Sequence, residues 1–230
     1  MQPRSPYAPP NSATASAGAA VAGEQAARVL RNTYMLLGMA LAFSAGCGWY
    51  AMQSGVGFIN PILTLVVYFG LLIFTNVMRN SAFGILGVFG ITGWLGFTTG
   101  PLISAYAAIP GGMELVTLAL GSTAVVFVSL SAIALITRKD FSFLTNFLMV
   151  GLLVAFLGGL AAYFFNLPIL ALAVSGAFVL LSSALILWQT SAIIHGGESN
   201  YIMATVTLFV SIYNLFLSLL HIFTALSGND

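Results

Sequence analysis

Charge is what this sequence has least of. Of its 230 residues, six are Lys or Arg and five are Asp or Glu, 5% in all, where a soluble domain carries about a quarter. So few charges cannot keep a 24.1 kDa globule in water, and lipid must solvate most of its surface. A net charge of +1 leaves no basic patch for a nucleic-acid partner. The single cysteine excludes an intramolecular disulfide and any multi-cysteine metal site. Cys47 sits in an apolar stretch and reads as a small buried hydrophobe. Catalytic signatures are missing as well: no H-E-x-x-H, no phosphate-binding loop, no paired carboxylates and no Ser/His/Asp set at one depth. No enzymatic activity, cofactor, metal or small-molecule substrate is expected.

What the chain does have is apolar length, with 60% of its residues hydrophobic. A bilayer core of about 30 Å takes roughly 20 apolar helical residues. Seven such runs occur, at 33–53, 60–78, 82–106, 115–136, 143–165, 168–194 and 201–226. Short breaks rich in turn residues or charge separate them, so the sequence predicts an all-α, polytopic membrane helix bundle with seven transmembrane helices. The second run has the weakest end signals. Residues 1–23 are rich in Pro, Ala, Ser and Gly and read as a disordered cytoplasmic tail. The transmembrane domain then covers 24–230, its first residues, 24–31, being a helix-prone lead-in. With seven spans, Arg4, Arg28, Arg31, Arg79, Arg138 and Lys139 all fall on one side of the membrane. The positive-inside rule then places the N-terminus in the cytoplasm and the C-terminus outside.

Two sequence patterns speak to packing. The third run spaces Gly84, Gly87, Gly90, Gly93, Gly96 and Gly100 at three- and four-residue steps, a bare ridge that lets neighbouring backbones approach. It is expected to pack within the bundle rather than between copies. The seventh run carries Thr207, Ser211, Asn214, Ser218 and His221 at steps of 4, 3, 4 and 3, which share one helix face. Ser175, Ser182 and Gln189 form a sparser stripe on the sixth. Polar groups at this depth turn inward, so Gln189, Ser211, Asn214, Thr207, Ser218 and Ser182 are the candidates for a polar interior. Two readings stay open: interhelical hydrogen bonding, or a hydrated cavity. On the cytoplasmic face the candidates are Arg138, Lys139, Asp140, His195 and Glu198. The first three read as a topology anchor, and His195 with Glu198 lacks the further ligands of a metal site.

Four segments also carry a resemblance: Val29-Leu30-Arg31-Asn32-Thr33-Tyr34, Thr137-Arg138-Lys139-Asp140-Phe141-Ser142-Phe143-Leu144, Ile193-Ile194-His195-Gly196-Gly197-Glu198-Ser199-Asn200-Tyr201-Ile202 and Ser211-Ile212-Tyr213-Asn214-Leu215-Phe216. Their order and spacing resemble the Bax-inhibitor (TMBIM) family, and within it the bacterial inner-membrane members. The resemblance implies an association with FtsH, the membrane-anchored ATP-dependent protease, and its HflK/HflC partners. Such members act as slowly degraded substrates that restrain the protease, which would need an unfolded cytoplasmic handle like residues 1–23. Other members resemble proton-gated calcium leak channels built on two aspartates. The matching places here are Gln189 and Ser211, neither of which ionises, so the gating pair is absent. A purely structural membrane protein is the third possibility.

Overall fold

The computed structural model describes residues 12–228, which form seven helices: α1 (Ser12–Gln53), α2 (Pro61–Val77), α3 (Ala82–Ala107), α4 (Gly112–Thr137), α5 (Leu144–Phe164), α6 (Pro168–Ile194) and α7 (Tyr201–Leu226). Among the described residues there is no strand. Six of the helices are long and apolar enough to cross a membrane, α1 from Gly23 onward. The exception is α2, whose 17 residues make about 25 Å at 1.5 Å per residue. The chain is thus a membrane-helix bundle, with α2 its one short member among the described residues.

Local chemistry sets most of the boundaries. The Asn60 side chain accepts from the Ile62 N–H at 2.8 Å and Pro61 occupies the first helical turn. That is a well-formed start for α2, the run with the weakest end signals in the sequence. Pro168 opens α6 in the same way. Gly111 (φ +75°) and Arg138 (φ +49°) take left-handed conformations at the two ends of α4.

The tail expected over 1–23 falls partly outside the described residues. Residues 1–11 lie outside the described residues, but α1 already begins at Ser12. Six of the twelve residues from Ser12 to Gly23 are alanine, the best helix former. They extend a helix whose costly nucleus is already formed further along. Between Val21 and Arg28 no described side chain is buried, and Val29 is the first to enter the core.

The seventh helix lies at the centre and packs on α1, α3, α4 and α6. Its Ile202, Leu208, Phe209 and Leu215 join Leu37 and Ala40 of α1, Val88 and Ile91 of α3 and Ile186 of α6 in the main core. The glycine ridge of α3 is taken up inside the bundle. A Cβ on Gly100 would stand 2.6 Å from both Ala51 Cβ and the Gly48 carbonyl of α1, and one on Gly96 would overlap the Ser44 carbonyl. Gly87 meets Thr75 of α2. The bare ridge therefore seats two neighbours, α1 and α2, as close backbone contact requires.

Candidate functional site

The polar interior lies along α7. Ser211 is 1% exposed and Gln189 2% exposed. The Ser211 hydroxyl donates to the Thr207 carbonyl at 2.7 Å, so it is satisfied within its own helix. Thr207, Ser211 and Asn214 line one cavity of about 660 Å³ bounded by α2, α3, α5, α6 and α7. Gln189 and Ser182 do not line it, and neither does Ser218. The Gln189 Nε2 and the Ser182 hydroxyl are buried without a hydrogen-bond partner. Ser218 is buried too. His221, at the far end of the stripe, is tied to α6 through Nδ1 and the Ser175 hydroxyl at 2.7 Å.

Part of this polarity is plain interhelical bonding. Tyr34 and Thr190 hydroxyls link α1 to α6 at 3.2 Å, Thr99 and Tyr213 link α3 to α7 at 3.1 Å, and Thr205 donates to the Thr33 carbonyl at 3.3 Å. Such contacts contribute roughly 0.6–2 kcal/mol each in a membrane bundle. The described interior contains no Asp or Glu. Glu114 begins α4, and Glu24, Asp140 and Glu198 lie at the other end of the bundle. No group of three or more His, Cys, Asp or Glu residues stands together among the described residues.

That other end holds the second constellation, where the starts of α3, α5 and α7 meet the ends of α2, α4 and α6. Arg28, Arg31, Arg79, Arg138 and Lys139 all belong to it. Two residues not singled out as sites organise it. The Ser191 hydroxyl donates to the Lys139 carbonyl at 3.0 Å and accepts from the Phe141 N–H at 3.1 Å. Asn200 accepts from the Ile202 and Met203 N–H groups, both at 3.1 Å. Its Nδ2 donates at 3.0 Å to the Arg79 carbonyl and to Asn80 Oδ1. One residue thereby caps α7 and fastens the α2–α3 loop, and the other fastens the α4–α5 loop to α6.

The expected candidates at this end take part as spacers and partners. His195 sets Nδ1 2.9 Å from the Ser191 carbonyl and Nε2 3.1 Å from the Arg138 carbonyl. A carbonyl only accepts, so both contacts are hydrogen bonds only when both ring nitrogens carry a proton. Glu198 accepts from the Asn200 N–H at 2.8 Å. Arg138 and Lys139 offer their backbone carbonyls rather than their charges. Asp140 accepts from the Ser142 N–H at 2.8 Å. This contact, the Ser142 hydroxyl and nearby His195 hold its carboxyl below the usual carboxylate range.

A pH dependence follows from Asp140. The group is fully exposed, so the effect is local to the loop. A folded value below the unfolded one, about 4, means the ionised form supports the turn above that pH and the support is lost as pH falls through the lower folded value. Hydrogen exchange at residues 138–144 is expected to speed up, relative to the bundle, on acidification through that range. Asp140→Asn is expected to flatten that profile.

The fold and both constellations can now be set beside known proteins. Residues 26–228 match the family described as inhibitor of apoptosis-promoting Bax1. An uncharacterized protein of Pseudomonas aeruginosa is 49% identical over 202 residues, 88% of this chain and 91% of its own length. The modulator of FtsH protease YccA of Escherichia coli K12 is 48% identical over 195 residues, 85% of this chain and 89% of its own. An uncharacterized protein of Neisseria meningitidis serogroup A is 38% identical over 211 residues, 88% and 92%. The matched region takes in α1 from residue 26, the other six helices, the glycine ridge and both polar constellations, and the chain belongs to the Bax-inhibitor family of membrane proteins.

Proposed function

We propose that this protein is an inner-membrane modulator of an FtsH-type protease, itself engaged as a slow substrate and so restraining the degradation of other membrane clients. The observation that carries this reading is the 48% identity to the Escherichia coli modulator over nearly its whole length. The physics of the chain supports it. A membrane protease that pulls needs a segment to grip and then must extract the bundle behind it. Between Val21 and Arg28 no described side chain of α1 is buried, and a short isolated helix is marginal by itself. Behind it stands a bundle whose α3 glycines seat α1 and α2 closely against α3, which resists extraction. HflK/HflC-type partners belong to the same proposal.

The topology that suits this role has seven spans, α2 included. The N-terminus then faces the cytoplasm and the C-terminus the periplasm, with the basic end of the bundle inside. At 17 residues α2 is at the lower limit of a crossing helix. The cavity at Thr207, Ser211 and Asn214 would favour the second reading, an ion leak. The neutral Gln189 and Ser211 weigh against proton gating of such a leak. No chemistry for catalysis is proposed.

Deletion of residues 1–23 tests the handle. The full chain, tagged at its C-terminus, is expected to co-purify with the protease complex from gently solubilised membranes and to turn over slowly. The truncated chain is expected to fold and to persist several times longer. Unchanged turnover and unchanged co-purification after the deletion would remove the handle from the mechanism.

A further inference from the structure

The cavity beside α7 has a chemistry that neither the packing nor the proposed protease role uses. Three polar side chains line it without any hydrogen-bond partner among the described residues: the Tyr68 hydroxyl of α2 and the Thr207 hydroxyl and Asn214 carboxamide of α7. Tyr68 and Asn214 stand near the middle of their helices, at membrane depth, where an unpaired polar group is costly. No charged residue lines the cavity, so nothing in its walls pairs with the charge of an ionic headgroup. Its walls are rich in aromatic rings, with Phe69, Phe156, Phe178 and Tyr213 joining Tyr68. The Tyr68 and Phe69 rings lie 5.2 Å apart, and Phe69 meets Phe156 edge-on at 6.0 Å.

Three candidate occupants differ in how they meet these groups. Water at about 30 Å³ per molecule would need some twenty copies to fill 660 Å³, each wanting two to four polar partners that the walls do not supply. A plain acyl chain would fill the space and leave these polar groups unpaired. A neutral ring bearing carbonyl or hydroxyl oxygens satisfies both demands. Its oxygens accept from the Tyr68 O–H and the Asn214 N–H, while its faces and edges meet the aromatic walls.

The way in is lateral. Helix α2 packs on α3 and scarcely touches α5, α6 or α7. The cavity is therefore bounded toward the lipid by the Phe69–Phe156 pair, and Phe69 is 42% exposed. A molecule already dissolved in the bilayer reaches the cavity by passing between α2 and α5. We propose that this cavity is a binding site for a neutral, lipid-soluble molecule with an oxygen-bearing ring, the chemistry of a membrane quinone, held by Tyr68 and Asn214. Binding alone is proposed, with no electron transfer. The site does not depend on the protease reading and stands or falls separately.

The test uses the full chain in phosphatidylcholine nanodiscs, with a decyl-tailed benzoquinone and decanoic acid as probes. The quinone is expected to bind saturably and raise the melting temperature, and decanoic acid to do so far less. Tyr68→Phe and Asn214→Leu are each expected to weaken quinone binding about five- to tenfold. Their unliganded melting temperatures should be unchanged or higher, because each removes an unpaired polar group. Should Asn214→Leu not fold, Tyr68→Phe, which loses a single oxygen atom, decides the matter. Equal binding of the two probes, no saturable binding, or full quinone affinity in the variants would overturn the proposal.

Discussion

Gly96→Leu is expected to abolish accumulation of the folded protein, and Gly96→Ala to destabilise it by about 1–3 kcal/mol, the cost of overpacking a tight contact. The reason is the approach of α3 to α1. A Cβ on Gly96 overlaps the Ser44 carbonyl, a backbone atom that cannot rotate aside, whereas one on Gly90 would meet the far end of the Leu71 side chain at 3.2 Å. Gly90→Ala is therefore the matched control, expected to cost a fraction of Gly96→Ala because a leucine can shift its rotamer. Without a hydrophobic drive between helices in lipid, loss of this contact surface has little to offset it. Protein yield in membranes and thermal unfolding in detergent read both variants. Equal behaviour of the two alanine variants would mean that the α1–α3 seam is looser than described here.

Asn200→Ala is expected to cost about 2.5–4 kcal/mol. Loss of a helix cap accounts for 0.5–2 kcal/mol, and loss of the two Nδ2 donations for about 1 kcal/mol each. Asn200→Asp separates the parts. It keeps the oxygen that caps Ile202 and Met203 but loses both donations to Arg79 and Asn80. It should retain much of the helix stability while releasing the α2–α3 loop, seen as faster hydrogen exchange at 79–82. A cap-only role for Asn200 would leave that loop protected in the aspartate variant. Because this end also holds the basic residues, a released loop bears directly on the access of any partner that binds there.

The helices were legible in the sequence for a simple reason. In a membrane protein the apolar run is the element, and its ends are written in Pro, Gly and charge. The expected runs at 168–194 and 201–226 coincide with α6 and α7, and the others fall within a few residues of their helices at most ends. Departures have physical causes. Residues 12–23 looked like a tail because they have nothing to bury, yet alanine continues a helix that starts elsewhere. The run at 60–78 looked weakly ended because its cap is one asparagine before a proline.

The sites were less legible. Periodicity placed Thr207, Ser211 and Asn214 on one face, and they share one cavity. It could not say that Gln189 sits outside that cavity or that Tyr68 of α2 borders it, because both depend on how helices pair. Ser191 and Asn200 passed as ordinary helix-end polar residues. Their bonds reach backbone groups 52 and 121 residues away in sequence, and the local sequence carries no sign of them.

The central claim is that this chain restrains a membrane protease by occupying it. The direct measurement is degradation of a second, rapidly turned-over membrane client by an FtsH-type protease in proteoliposomes, with increasing amounts of this protein present. The account predicts that client half-life lengthens in proportion to the protein added, while the protein itself is degraded slowly. Client degradation unaffected by an excess of the folded protein would contradict it.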